Sequence, residues 1–249
     1  MKILGLDTAA ATASAAVVED GKIILEELCP GKRGDEISSA PTERVNHAET
    51  VLPLIDNVLK KAGLSLSEIS AFAVSIGPGS FTGLRIGLST VKGLAYGWKI
   101  PVVGVPTLHA VAARVTAWNG LICPFLDARK KEVYAALFRK KAGTLERLTG
   151  DLVSPPENVL QLIQSLKTPE PCLFIGDGSQ VYGNLIRSSF LSHGVLITLG
   201  ECYASTAAAV ARLAEARIEK NEFDPIGPLV PLYLRPSEAE VKRGIRKQL

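Results

Sequence analysis

The chain has 249 residues, 47% of them apolar and 21% charged, with a mean hydropathy of +0.21, a composition that excludes an intrinsically disordered protein. At about 150 residues per domain the length fits one large domain or two small ones. The net charge of +3, from 28 Lys and Arg against 25 Asp and Glu, excludes a strongly basic nucleic-acid binder. In chain order, residues 2–7 (KILGLD), 14–19 (SAAVVE) and 22–28 are three short apolar runs. Tight links join them, one being Asp20-Gly21, a strong hairpin signal, and they predict an antiparallel meander. Residues 29–44 turn to Gly, Pro, Ser and charge and read as a surface loop. Asn46 with Glu49 three residues on has the pattern of an N-cap and capping box. The helix it opens runs to residue 62 and is stopped by Gly63, with Pro53 either kinking it or moving its start later. Next come a buried strand 71–76, a glycine-rich turn 77–83, a helix 84–98, a strand 101–105 and a Thr-capped helix 107–118.

After Asn119-Gly120 the pattern restarts. Strands are predicted at 121–127, 132–139 and 145–149, a helix from 156 to about 166, a strand 172–176 and a helix after Ser179. A strand 195–198 and a helix capped by Ser205 and running to about Lys220 complete the second half. Leu6-Asp7-Thr8 is echoed by Leu126-Asp127-Ala128, and Ile76-Gly77-Pro78-Gly79-Ser80 by Ile175-Gly176-Asp177-Gly178-Ser179. The reading is therefore α/β, two similar βββαβα lobes, at 1–105 and 106–225, followed by a mainly extended basic tail at 226–249. That order is the architecture of the actin, sugar-kinase and heat-shock ATPase superfamily, an analogy of fold and not of function. Cys29, Cys123, Cys172 and Cys202 lie far apart, without a C-x-x-C pair, and read as buried, reduced packing residues. Only His47, His109 and His193 are present to complete a metal set, so a zinc ribbon or finger is excluded. Without a signal peptide or an apolar run near the about 18 residues that span a bilayer, the chain reads as cytoplasmic, with no membrane partner.

Nucleotide phosphates in that architecture rest on two strand-turn-strand hairpins that need an aspartate for the metal and small residues around it. The first turn here offers Asp7, Thr8 and Thr12 but no glycine. The second reads Asp127-Ala128-Arg129-Lys130-Lys131-Glu132, with no glycine, serine or threonine, which argues against an autonomous ATPase or kinase site. Asp7 and Thr8 remain as nucleotide contacts, with a strand-end aspartate capping its own turn as the alternative. In the segment 75–95 (SIGPGSFTGLRIGLSTVKGLA), N–H groups near residues 82–85 are placed to receive an anion, or the glycines serve strand-to-helix packing.

The helix that follows carries Gly83 and Gly87 on one stripe, Leu84, Leu88, Val91 and Ala95 beside it, and Gly93 and Gly97 as a second small pair. Glycine costs about 1 kcal/mol against alanine inside a helix, so four of them need a packing reason. The preceding helix has one apolar stripe of Val51, Ile55, Val58 and Ala62 and another of Leu52 and Leu59. The two helices therefore present a partner surface of Val51, Leu52, Ile55 and Leu59 with Arg85, Gly87, Leu88, Val91 and Leu94, unless both stripes are buried within the chain. No G-x-S-x-G elbow or catalytic triad is visible, and His47 near a helix start reads as a cap or surface residue.

ILGLDTAAATASAAV, HAETVLPLID and above all SIGPGSFTGLRIGLSTVKGLA resemble the TsaB (YeaZ) family through residues 1–115, and more loosely through PLYLR at 231–235. The resemblance implies a bacterial, cytoplasmic protein of tRNA threonylcarbamoyladenosine (t6A) synthesis at adenosine 37 of ANN-decoding tRNAs. It implies a non-catalytic subunit that binds and activates the transferase TsaD as a heterodimer, with the ATPase TsaE recruited through the complex and the threonylcarbamoyl-adenylate supplied by TsaC or its relatives. It implies no cofactor of its own, ATP or ADP and metal only in the partner complex, tRNA only through the complex, and a homodimer open to the chain when alone. The two places of the H-x-x-x-H metal pair of TsaD fall on Thr107 and Val111, with His109 between them on another face. The rival readings are a stand-alone nucleotide-dependent enzyme of the superfamily, and a direct tRNA-binding module using Lys242, Arg243, Arg246 and Lys247 with the turn 129–131.

Overall fold

The computed structural model describes residues 1–29, 47–191, 196–200 and 205–236. The loop 30–44, the Asn46 cap, Cys202, His193 and the four basic residues of the tail lie outside them. The chain forms two compact units, Met1–Ala110 with Ala204–Leu232, and Val111–Tyr203 with Tyr233–Leu249. Among the described residues no helix is long and apolar enough to cross a membrane.

In the first unit β1 (Lys2–Asp7), β2 (Ser14–Glu19) and β3 (Lys22–Leu28) form the expected antiparallel meander. Its second turn is Asp20-Gly21, with φ of 46° and 72°, the two left-handed residues of a type I′ hairpin. β4 (Ala71–Gly77) pairs parallel with β1 and with β5 (Val102–Pro106), giving the order β3-β2-β1-β4-β5. Alternation along β1 sends Leu4 and Leu6 to one face, where they pack with α1 (His47–Lys61) and α2 (Phe81–Trp98). Pro53 lies within α1 without ending it. The helix stops at Gly63, φ 68°, where Gly63 N–H donates to Lys60 O (3.1 Å) and Leu64 N–H to Leu59 O (2.9 Å), a Schellman turn.

Gly5 lies on the opposite face and meets the Ala-rich helix at 207–219. A Cβ at Gly5 would lie 2.2 Å from Ala207 O. This helix therefore belongs to the first unit, which corrects the expected second lobe at 106–225. Ser205 is not its cap. Its N-terminus is satisfied from β2 and β3 instead: Ser14 Oγ accepts from Thr206 and Ala207 N–H, and Glu26 Oε1 accepts from Ala208 N–H (2.9 Å) and from Ser205 Oγ. Beyond it, Arg217 pairs with Asp224 (3.0 Å), and Asp224 Oδ2 accepts Gly104 N–H (2.7 Å). The extended tail is held by Lys92 Nζ, which donates to Gly227 O and Leu229 O, and by Leu232 N–H on Ile76 O.

After β5, α3 (Thr107–Ala113) ends five residues before the expected end, where β-branched Val115 and Thr116 follow and Val115 N–H closes onto Ala112 O. In the second unit β6 (Gly120–Arg129) lies between β7 (Glu132–Ala135) and β11 (Cys172–Ile175). The expected single strand 132–139 is two, β7 and β8 (Phe138–Lys141), both on one edge of β6 in one register. The break at Ala136-Leu137 faces Pro124, which has no N–H for the ladder. Leu137 instead bonds Thr149 Oγ1 through its N–H, and its carbonyl accepts from Leu148 N–H.

β9 (Thr144–Arg147) pairs with β8, and β10 (Leu152–Ser154), not foreseen, pairs with β7. α4 (Pro156–Ser165), α5 (Asp177–Val181), α6 (Gly183–Phe190) and β12 (Ile197–Leu199) complete the unit. The order β10-β7-β6-β11-β12 repeats that of the first unit strand for strand, and the last helix of the chain's described residues, α7 (Ala207–Glu219), is the Ala-rich helix of the first unit. Phe125 and Phe174 meet edge to face at 5.6 Å in its core. Cys123 and Cys172 are free and buried there, and burial pushes both thiols up, as expected of inert packing residues.

Candidate functional site

The segment 75–95 is organised around the turn after β1. Asp7 is buried, and its carboxylate accepts from Ala9 N–H (2.9 Å), Ser75 Oγ and Thr206 Oγ1. Thr8 is fully buried, and its Oγ1 has no hydrogen-bond partner. The backbone of this turn fills the space the glycines leave. Ser80 N–H donates to Ala9 O (2.7 Å), a Cβ at Gly83 would stand 2.1 Å from Thr8 O, and one at Gly87 would stand 2.2 Å from Thr8 Oγ1.

α2 begins at Phe81, one turn earlier than expected, with Ser80 Oγ accepting from Gly83 N–H (3.2 Å). Of the N–H groups expected to receive an anion, those of Gly83 and Leu84 are taken by Ser80 Oγ and Ser80 O, and Gly83 is packed against Thr8. The structure brings Asp7, Thr8 and the glycine run together, as strand-to-helix packing.

Taken one at a time, neither turn has the open aspartate among small residues that a metal-nucleotide centre needs. Asp7 spends both oxygens on neutral donors. At the second turn Asp127 accepts from Arg129 N–H (2.9 Å) and pairs with its guanidinium (3.1 Å). Thr107 Oγ1 accepts Gly77 N–H (3.1 Å), Val111 is a buried aliphatic, and His109 is half-buried between them. Each carboxylate is taken up by donors of its own unit, and neither Thr107 nor Val111 can supply an imidazole ligand.

Of the nine residues expected at a partner surface, Val51, Ile55, Leu59, Leu88 and Val91 are in the core of the first unit, and Gly87 is closed by Thr8. They are corrected to core positions, because the stripe they share with Leu54, Val58 and Ala95 is the one that covers the sheet. Leu94 is half-buried, packed on that core. Leu52, 53% exposed, and Arg85 remain outside. The outer stripe of α2 is Arg85, Ser89, Gly93 and Tyr96, with Gly97 beside them and Trp98 at the helix end. Tyr96 is 82% exposed and Trp98 53%, and a Cβ at Gly93 or Gly97 would meet nothing within 4 Å. The expectation of a second small pair pointed to Gly93 and Gly97; their company with Arg85 and Ser89, against the aliphatic company of Gly83 and Gly87, is the signal that separates outside from inside. Sequence reasoning missed Tyr96 and Trp98.

His47 opens α1, with the structure placing it among buried rather than surface residues. Burial lowers its imidazole pKa, against the nearby Asp7 carboxylate and the Ala10 backbone, which raise it, and Nδ1 has no hydrogen-bond partner. The folded pKa lies below the unfolded one, near 6.5, so the unfolded chain binds the proton more readily. The stability this neutral histidine permits is present above that value and falls as the pH drops through it. The melting temperature of wild type should therefore fall more between pH 8 and pH 5.5 than that of His47→Gln; equal falls contradict the assignment.

Two lobes with matching five-strand orders place the chain in the actin, sugar-kinase and heat-shock ATPase class, here with its turns closed by the chain's own side chains. Residues 41–243 match the family model described as TsaD: tRNA N6-adenosine threonylcarbamoyltransferase. The chain is 32% identical over 245 residues to the tRNA threonylcarbamoyladenosine biosynthesis protein TsaB of Bacillus subtilis (strain 168), covering 97% of each. It is 31% identical over 243 residues to the protein of the same name from Escherichia coli (strain K12), covering 96% of each. The solved structure of YeaZ from Pseudomonas aeruginosa superimposes with a TM-score of 0.72 at 26% identity, over 94% of this chain and 99% of that one. The chain belongs to the TsaB (YeaZ) family.

Proposed function

We propose that the chain is a non-catalytic subunit of t6A synthesis that pairs with a TsaD-type transferase and activates it for modification of adenosine 37 in ANN-decoding tRNAs. One observation carries the reading: α2 turns a stripe of Ser89, Gly93 and Gly97, edged by Tyr96 and Trp98, to solvent, while its other face is fully used by the core. Small residues at four-residue spacing let a second helix approach the backbone, and exposed Tyr and Trp supply the anchors typical of strong protein contacts. The names of the relatives, which are t6A biosynthesis proteins, supply the pathway. The closed turns support a subunit that brings no nucleotide or metal chemistry of its own; ATP, its metal and the ATPase TsaE are then engaged through the complex.

Co-expression with the TsaD of the same organism tests this. The pair is expected to co-purify as a heterodimer, and the purified chain alone to show no ATP turnover. Robust ATP turnover by the chain alone, or no pairing, contradicts the proposal.

A further inference from the structure

The segment 224–232, beyond α7, crosses the first unit as a strap that is tied along its length. Asp224 N–H donates to Val102 O (2.9 Å) on the edge strand β5, Leu229 N–H closes a turn on Pro225 O (3.2 Å), and Leu232 N–H donates to Ile76 O (2.6 Å). Leu229 packs on the core of the unit, and a Cβ at Gly104 would stand 3.1 Å from its Cδ1. The next residue, Val230, is turned to solvent and 63% exposed, with Leu232 at 38%. An apolar side chain is thus held out in water by a backbone that is fixed on both sides of it.

Lys92 sets where the strap lies. On α2 it is three residues from Ser89, four from Tyr96 and four from the core residue Leu88, so it stands on the margin between the outward stripe and the buried one. Its Nζ donates to Gly227 O (3.0 Å) and Leu229 O (3.1 Å). The flank of a helix offers a passing chain no backbone N–H, and Pro228 and Pro231 take two donors from the strap itself. One ammonium therefore replaces a strand ladder. A lysine on a helix flank ordinarily keeps its head in water; here it is committed to two carbonyls and fixes the strap at the level of Gly93. Helices pack with axes about 8–10 Å apart, so a body that seats a helix on Ser89 and Gly93 comes within side-chain reach of the Lys92 margin and the strap tied to it.

We propose that the strap is the second wall of the α2 docking surface, with Val230 as an apolar contact for the same transferase partner and Lys92 as the residue that positions it. This role rests on the pairing reading above and extends it from one helix to two elements. The occupant is the same because the strap is continuous with the Ser89 and Gly93 stripe through Lys92. A strap already fixed before the partner arrives gives up little conformational freedom on binding, which is the advantage of spending a lysine on it.

The test measures the Kd of the purified full-length chain for the transferase of the same organism, with melting temperatures followed alongside. Val230→Asp changes an exposed side chain, so the melting temperature is expected to stay at the wild-type value while pairing weakens about tenfold. Lys92→Met keeps the side-chain length, removes the donors and should weaken pairing by a similar factor; Lys92→Arg, which keeps donors, should restore it to within about twofold. If Lys92 acts through the strap, adding Lys92→Met to Val230→Asp costs little more, and full additivity, about a hundredfold in all, overturns its positioning role. Val181→Asp, at a valine 62% exposed in the second unit, should pair as wild type; a loss equal to that of Val230→Asp assigns the effect to added charge and overturns the site. Wild-type pairing by Val230→Asp, where Gly93→Trp weakens pairing, overturns this role alone. Absence of pairing by the wild type overturns the functional reading and this role with it.

Discussion

Gly83→Ala is expected to destabilise the protein by about 3 kcal/mol, while Gly93→Ala, ten residues along the same helix, is expected to stabilise it by about 0.5–1 kcal/mol. The two substitutions add the same methyl group to the same helix. At Gly83 it would stand 2.1 Å from Thr8 O, and that carbonyl cannot retreat, because its turn is tied by Asp7 to Ala9 N–H and by Ala9 O to Ser80 N–H. At Gly93 the methyl group meets nothing within 4 Å, so what remains is the reduced freedom of the unfolded chain. About 3 kcal/mol is a large share of the stability of an ordinary domain, so the difference is easily read from urea midpoints at unchanged m. Equal midpoints for the two variants contradict the packing of the turn after β1 on α2.

The second large effect is on association. Gly93→Trp should leave the fold intact, since tryptophan is a better helix residue than glycine and the position is open, yet weaken pairing with the proposed TsaD-type partner by about thirtyfold or more. A bulky ring on the outer stripe holds a docking helix away from Ser89 and Gly97 and removes Tyr96 from contact. Wild-type affinity in a folded Gly93→Trp protein places the partner elsewhere. Substitution at Gly87 cannot make this test, because its space is occupied by Thr8 and the variant loses its fold rather than its partner.

Much of the fold is legible in the sequence because it is local. Asp20-Gly21 makes its hairpin, Gly63 stops α1, and the repeated strand order follows from short apolar runs between turns. What escaped depends on residues far away in the chain. The split of 132–139 is caused by Pro124 on the neighbouring strand, and α7 joins the first unit because Gly5 leaves room for Ala207 O. Ser205 has the composition of a cap, but Ser14 and Glu26 satisfy the helix end from the meander.

The site was legible in part, for a related reason. Periodicity shows that α1 and α2 each carry two small or apolar stripes, but not which one the sheet takes. Burial assigns Val51, Ile55, Leu88 and Val91 inward and Leu52 and Gly93 outward. Only the outward set is free to act on a partner, and the account of function depends on that set.

The most direct test is a titration of the purified chain into a fixed amount of TsaD-type transferase, with TsaE, threonylcarbamoyl-adenylate and an ANN-decoding tRNA present and t6A as the readout. The account predicts little t6A without the chain, a rise that saturates as the transferase is filled, and a Gly93→Trp curve displaced to at least about thirtyfold higher concentration. Full t6A formation without the chain, or a Gly93→Trp curve that overlays wild type, would contradict it.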